Sequence, residues 1–453
     1  MSCKITKIWT DVIEVAFENE EVAKVNTILA SENQNSILLV KKITDFNSVY
    51  AMVIKTDEEL FVNQKLVNTN KTFVVPVGQK AKNNIYNIMG ESLTNPKNNS
   101  EKVEMNSTIQ TNNNFNWENK VLETGIKAID FFIPIIQGSK IGIFGGAGVG
   151  KTVLMKEIIF NLSKSQEKTS SIFIGSGERS REGVELYKDL QDSDLMKNST
   201  MYISQMNESA GSRMNIVPVG LTAAEYLRDQ EKENVLLFID NIFRFLQAGN
   251  EISASMDKKP SIGGYQSTLN TDISLIENRI FANENGSITS FQTVFLPMDD
   301  FSDPSAVATF KHLGGSLVLS RDIAAKNIYP AFDPLASTSA SVDPNIIGSK
   351  HYEAIIETKR ILQRYKELED IILILGFDEL DKASKEVVKK ALQLQNFFSQ
   401  TFSMAQNFTQ RSSVFVKVED TVDSVKRIID GEFLDHDPEE FMYIGSVNDL
   451  ITK

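Results

Sequence analysis

Residues 142–158 read GIFGGAGVGKTVLMKEI, and no other stretch constrains the fold as tightly. Gly145, Gly146, Ala147, Gly148, Val149 and Gly150 carry almost no bulk, and Lys151, Thr152 and Val153 then open an apolar helical run. Small residues let consecutive backbone N–H groups turn inward around phosphate oxygens, and the following helix aims its positive end at the same place. Lys151 adds a point charge, and the Thr152 hydroxyl can ligate Mg²⁺. Gly145, Gly150, Lys151 and Thr152 meet the spacing G-x-x-x-x-G-K-[ST]. A chain of this length matches that bare pattern by chance roughly once in fifty times. The apolar strand before it and the amphipathic helix after it make chance rarer still, so an α/β layer carrying a nucleotide phosphate site is expected here.

Three compositional zones surround this loop. From Ile5 to about Val77, β-rich runs such as VIEVAF, SILLV, SVYAMVI and TFVVPV recur between Asn, Asp and Glu, which predicts a small β-barrel domain over 1–77. Residues 78–345 alternate strand-like runs (KIGIF, SSIFIG, VLLFID, SITSFQTVF, GSLVLS) with helical patterns, which predicts a mainly parallel sheet covered by helices. Within this zone, 94–118 is rich in Asn, Ser and Thr and poor in apolar residues, as expected of a surface loop or partly disordered link. Residues 346–453 turn helical. Ile355, Leu362, Tyr365, Leu368 and Ile372 form one stripe, and Val387, Ala391, Leu394 and Phe398 form another beyond the turn at GFDELD. The expected class is thus an α/β core carrying a phosphate loop, with an N-terminal β-barrel and a C-terminal helical domain.

Two further stretches suit the chemistry of a bound nucleoside triphosphate. VLLFIDN, Val235 to Asn241, is an apolar strand ending in Asp240, a position from which a carboxylate can hold hydrated Mg²⁺ at the carboxyl edge of a sheet. SSIFIGSGERSREGVELY runs a strand into Glu178, Arg179, Arg181 and Glu182. Cleaving a γ-phosphate needs a water polarised by a carboxylate and positive charge to meet the transferring group. An exposed turn with ordinary ion pairs would look the same.

Composition excludes other classes. Against 60 Asp and Glu stand 47 Lys and Arg, a net charge of −13, which disfavours nucleic acid as a general partner. One cysteine and three scattered histidines offer no internal disulfide and no zinc site. No run of about 18 apolar residues is present, and MSCKITKIWTDVIEV has no apolar signal core, so a cytoplasmic location is expected.

Several long motifs in order carry a resemblance. LETGIKAIDFFIPIIQGSKIGIFGGAGVGKTVLMKEI (122–158), GERSREGVELY (177–187), GLTAAEYLRDQ (220–230), VLLFIDNIFRFLQAGNEISA (235–254), KPSIGGYQSTL (259–269) and DDFSDPSAVATF (299–310) are similar to those of the catalytic beta-subunit family of F-type ATP synthases. IYPAFDPLASTS (328–339) and ILGFDEL (374–380) extend the likeness, which is strong over 120–345, moderate to about 425 and weaker in the first 90 residues, and which implies that the α/β P-loop core is of RecA type. The resemblance implies that Glu178 positions the attacking water and that Arg179 reaches the γ-phosphate. Glu182 and Asp240 would lie near hydrated Mg²⁺, with Thr152 as a metal ligand. Lys151, Thr152 and the loop amides would hold the phosphates of ATP or ADP, Arg244 would brace the pocket, and Tyr329, Phe402 and Phe408 would clasp the adenine. It also implies partners: a non-catalytic alpha-like subunit in an alternating hexamer, a gamma-like central shaft, and a membrane sector reached through other subunits. The chain would then lie peripherally on the inner face of the cell membrane.

The chain departs from that family at the acidic turn, which reads DELDKAS (378–384) and loses its second run of acids, and at Phe295, where a tyrosine is customary. A diverged paralogue driving other membrane or surface machinery, such as motility, fits these departures. A Rho-type RNA translocase and a secretion-type ATPase share the core class. The acidic charge and the lack of a basic, aromatic N-terminal stretch weigh against the first, and GGAGVGKT with ILGFDEL against the second. A non-catalytic nucleotide-holding scaffold is disfavoured by Glu178. LASTSASVDP (335–344) has Ala340 where the family often keeps an arginine, so the arginine finger is expected from the alpha-like partner. The alternative is a homohexamer in which Arg321 or Arg279 serves the neighbouring copy.

Overall fold

The structure is a computed structural model that describes residues 2–18, 22–106, 120–146, 148–165, 168–256, 258–296, 300–406 and 412–451. Contacts divide the chain into two compact units, one of Met1–Trp117, Lys168–Phe295 and Asp300–His312, the other of Glu118–Glu167, Leu296–Asp299 and Leu313–Lys453.

In the first unit the amino-terminal strands close into a barrel of order β1-β2-β5-β4-β3-β6. The strands are β1 (Ser2–Ile8), β2 (Val12–Phe17), β3 (Ile28–Ser31), β4 (Ser36–Asp45), β5 (Ser48–Thr56) and β6 (Lys65–Asn68). Alternation sends Ile13, Val15, Leu38, Val40 and Ala51 into its core, and closure leaves no edge exposed. TFVVPV forms β7 (Val74–Val77), which pairs not with the barrel but antiparallel with β9 (Glu101–Glu104). The expected link over 94–118 is therefore partly a strand, and 107–118 lies outside the described residues.

The same unit holds five parallel strands in the order β16-β15-β13-β14-β8. These are β8 (Asn84–Tyr86), β13 (Thr169–Glu178), β14 (Ser199–Gln205), β15 (Asn234–Asp240) and β16 (Ser287–Phe295). Their runs are buried nearly throughout, as expected of strands covered on both faces. Register puts Phe173, Phe238 and Phe291 side by side, and their rings stack at 5.1 and 5.2 Å. Helices α3 (Ser180–Asp192), α4 (Ala210–Asp229) and α5 (Ile242–Ser255) follow β13, β14 and β15, with α6 (Leu269–Glu277) and α7 (Pro304–Phe310) beyond.

The barrel seats on α4. Ser209 caps the helix and donates its hydroxyl to the Ile54 carbonyl at 2.7 Å. A Cβ at Gly211 would stand 2.2 Å from the Val53 carbonyl oxygen, so only glycine permits this approach.

Arg279, one of the two alternative finger residues, is only 7% exposed. Its guanidinium donates to both Glu225 oxygens at 2.9 and 2.6 Å, to Asn106 at 2.8 Å and to the Thr222 hydroxyl at 3.0 Å. An arginine so engaged cannot serve a neighbouring subunit, which removes it from that alternative. Removing one partner of a buried pair strands the other charge. Arg279→Ala is expected to lower unfolding stability by about 3 kcal/mol, read as a fall in urea midpoint. A loss under about 1 kcal/mol, the range of an exposed pair, would contradict this account.

The second unit carries β12 (Lys140–Gly145) parallel to β17 (Gly315–Val318), which pairs antiparallel with β18 (Thr338–Ser339). A ribbon of β10 (Val121–Leu122) and β11 (Ile135–Ile136) flanks α1 (Lys127–Phe132). The Asp130 carboxylate accepts from Thr124 N and Oγ1 and from Gly125 N at 2.7–2.8 Å, fixing the chain entering α1. Helix α2 (Lys151–Ser165) follows β12. The C-terminal part is helical: α8 (Arg321–Ala325), α9 (Pro344–Ile347), α10 (Ser349–Leu375), α11 (Lys382–Phe397) and α12 (Val418–Asp430). On α10, Ile355, Leu362 and Leu368 are buried as the stripe predicts, whereas on α11 it is Val388, not Val387, that is buried. In the altered turn, Asp381 caps α11 and accepts from Ser384 N at 3.0 Å and Ser384 Oγ at 2.8 Å, so the serine replacing an acid completes a helix cap. Leu373 and Ile374, 84% and 81% exposed, leave an apolar tip beside this turn.

Candidate functional site

The phosphate loop lies in the second unit, where β12 runs into α2. Gly148 and Gly150 have φ of 80° and 91°, a region that favours glycine on conformational grounds. Lys151 and Thr152 form the first turn of α2, and the Lys151 ammonium donates to the Gly145 carbonyl, which holds it over the loop. Ala147 lies outside the described residues.

A cleft of about 970 Å³ opens beside the loop. Val149, Gly150 and Val153 form one wall, and Tyr329, Phe402 and Tyr443 contribute to others. Tyr329 is 42% exposed and Phe402 6%. The Tyr329 carbonyl accepts from Gln400 N at 2.8 Å, and the Tyr443 hydroxyl donates to the Asn327 carbonyl at 2.8 Å. An aromatic, mostly apolar cleft next to a phosphate loop has the chemistry to stack a base. Val149, Gly150, Val153, Tyr329 and Phe402, singled out from sequence, meet here, while Phe408 lies outside the described residues. Met442 and Tyr443 also line the cleft. Nothing in the sequence pattern marked them.

The carboxylates lie in the first unit, at the carboxyl ends of its parallel strands, where such sheets expose ligand sites. Glu178 ends β13 and Asp240 ends β15. Arg179 occupies the N-cap position of α3 without a side-chain capping bond, and Glu182 sits in its first turn. Burial, then the Asp240 charge and Glu182, raise the Glu178 carboxyl well above the usual carboxylate range. Asp240 accepts the Thr293 hydroxyl on its Oδ1. Arg179 pairs loosely with Glu182 at 3.5 Å, both largely exposed. Arg244, in the first turn of α5, donates to Gln247 at 2.9 Å, and its stem packs beside Gly177. Glu178, Glu182 and Asp240 thus form one cluster, flanked by Arg179 and Arg244. Sequence reasoning missed Arg213, which pairs with Glu251 and whose carbonyl accepts the Ser176 hydroxyl at 2.7 Å, buttressing the end of β13.

A glycine loop between strand and helix, with carboxylates ending parallel strands, defines a P-loop nucleotide-binding protein. Residues 125–339 match the ATP synthase alpha/beta family, nucleotide-binding domain, and residues 341–436 match the C-terminal domain of V and A type ATP synthase. The chain is 47% identical over 450 residues to ATP synthase subunit beta 2 of Mycoplasmopsis pulmonis (strain UAB CTIP), covering 99% of this chain and 96% of that protein. The chain therefore belongs to the ATP synthase alpha/beta family, and within it is a homologue of the beta subunit and a P-loop ATPase. The expected fold class, a β-barrel, a nucleotide-binding α/β domain and a helical domain, is the one found.

Proposed function

We propose that this chain is the catalytic subunit of a rotary ATPase, cleaving or forming Mg-ATP at an interface with an alpha-like subunit and coupled to a central shaft. The observation that carries the reading is the aromatic cleft adjoining the glycine loop, since one helix, α2, supplies both the phosphate-binding turn and a wall of the cleft. In this reading the amides of residues 145–150 with Lys151 and Thr152 hold the phosphates, Tyr329 and Phe402 stack the base, and Arg244 braces the pocket. Glu178 orients the attacking water, and Arg179 meets the charge spreading over the transferred group.

Mg²⁺ fits the residues present. Among the described residues no group of three or more His, Cys, Asp or Glu is placed to cage a metal. Mg²⁺ characteristically keeps several waters and binds through one or two carboxylates plus substrate phosphates. Asp240 and Glu182 would hold it, and its charge would relieve the crowding that raises Glu178; the Thr152 hydroxyl as a further ligand is what the family resemblance implies. Bound there, Mg²⁺ neutralises developing phosphate charge.

The domain limits 1–77, 78–345 and 346–453 belong to the same proposal. So do the arginine finger from the alpha-like partner, the membrane sector reached through other subunits and a peripheral place on the inner face of the membrane. Among the described residues no helix is long and apolar enough to cross a membrane. The apolar tip at Leu373 and Ile374 supports a contact with the shaft.

Base selection tests the cleft. Stacking admits any purine more readily than a hydrogen-bonded slot would, so the assembled complex should hydrolyse ATP and GTP with kcat/KM within about tenfold of each other and CTP at least about tenfold more slowly. Equal use of CTP and ATP would count against an aromatic clasp.

A further inference from the structure

Glu157 sits in the middle of α2 and is 3% exposed, although the catalytic reading gives it no task. Its Oε2 accepts the backbone N–H of Met404 at 3.0 Å, and the backbone N–H of Ser403 also bonds to the carboxylate. These two amides begin the short 3-10 turn Ser403–Ala405, which directly follows Phe402. The first amides of a helical turn have no partner within it, and here a carboxylate from another helix supplies one. Burial raises the Glu157 carboxyl, and the donors of Ser403 and Met404 oppose that rise, as bonds to the charged form must.

Position along α2 gives the bond its meaning. Val153 and Glu157 are four residues apart and so share a helix face. Val153 walls the base cleft, and Glu157 holds the segment that delivers Phe402 to that cleft. Beside the tether is a hollow of about 350 Å³ lined by Glu157, Phe160, Asn161, Lys164, Ser403 and Phe415. On that side of the tether packing is incomplete, and the hydrogen bonds to Glu157 bridge it.

We propose that Glu157 is a positioning residue that fixes the base-stacking segment to the phosphate-loop helix, so that phosphate and base subsites keep one spacing. This rests on the nucleotide-site reading above. Its test compares equilibrium binding of Mg-ATP and Mg-tripolyphosphate, which lacks the base, to the full-length chain. Glu157→Ala should weaken ATP by about tenfold or more, the scale of losing charge-assisted bonds, and leave tripolyphosphate within about twofold. Glu157→Gln, which keeps the side-chain volume and one acceptor oxygen, should lie between wild type and Ala for ATP. Equal weakening of both ligands by the Gln variant, or unchanged ATP affinity in the Ala variant, would overturn the proposal. Failure of the wild-type chain to bind either ligand would instead overturn the nucleotide-site reading, and the proposal with it.

Discussion

In the assembled complex, Glu178→Gln is expected to lower ATP turnover by about 10²- to 10⁴-fold while leaving Mg-ATP affinity within about threefold, the pattern of losing a positioned base rather than uniform binding. Glu178 ends β13, and burial with the Asp240 and Glu182 charges raises its carboxyl. Pushed up to about 9, the carboxyl holds its proton at neutral pH in the metal-free chain, and the positive charge of Mg²⁺ beside it would lower it towards the range in which a carboxylate can take a proton from water. Glutamine keeps the shape and an acceptor oxygen but cannot take the proton. Stability provides an internal control. Because the folded-state pKa lies above the unfolded one, the folded chain binds the extra proton, and the stability this gives at acid pH is lost as pH rises through the raised value. Glu178→Gln removes that loss, so the variant should be no less stable than wild type at pH 8, measured by urea midpoint. Reduced turnover then cannot be assigned to unfolding. Unchanged turnover in the assembled complex would end the assignment of Glu178.

The second large effect concerns the partner. Phosphoryl transfer in this class commonly uses an arginine donated across a subunit interface, worth on the order of 10³ to 10⁵ in rate. The stretch Leu335–Pro344 holds no cation to donate, and Arg279 is fully engaged by Glu225, Thr222 and Asn106. The chain alone should therefore bind Mg-ATP and turn it over slowly. Adding an alpha-like subunit should raise the rate by about 10³-fold or more.

How far the sequence discloses this molecule depends on whether a signal is local. The glycine loop is legible because its chemistry is contiguous: small residues, Lys151 and Thr152 must follow one another. β2 and β13 are legible from alternation in VIEVAF and from the apolar run in SSIFIG. β14, STMYISQ, escapes because its serines and threonine look like loop residues, yet most of it is buried between parallel neighbours that satisfy its backbone. β9 escapes because EKVE becomes a strand only through pairing with β7.

The aromatic cleft shows the same limit. Tyr329 and Phe402 are legible only through resemblance, and Met442 and Tyr443 not at all, since their relation to Val153 is tertiary. Glu157 reads as a solvated helix charge until the Ser403–Met404 amides are seen beside it. Arg279 reads as an available cation until Glu225 is found against it, 54 positions away in sequence.

Phosphate release at saturating Mg-ATP tests the central claim most directly when measured on the purified chain, on a ring reconstituted with its alpha-like partner, and on the same ring carrying Glu178→Gln. The account predicts slow release from the chain alone, a rise of about 10³-fold or more in the mixed ring, and its loss in the Glu178→Gln ring. Fast release from a homogeneous assembly of this chain, or a Glu178→Gln ring as fast as wild type, would contradict it.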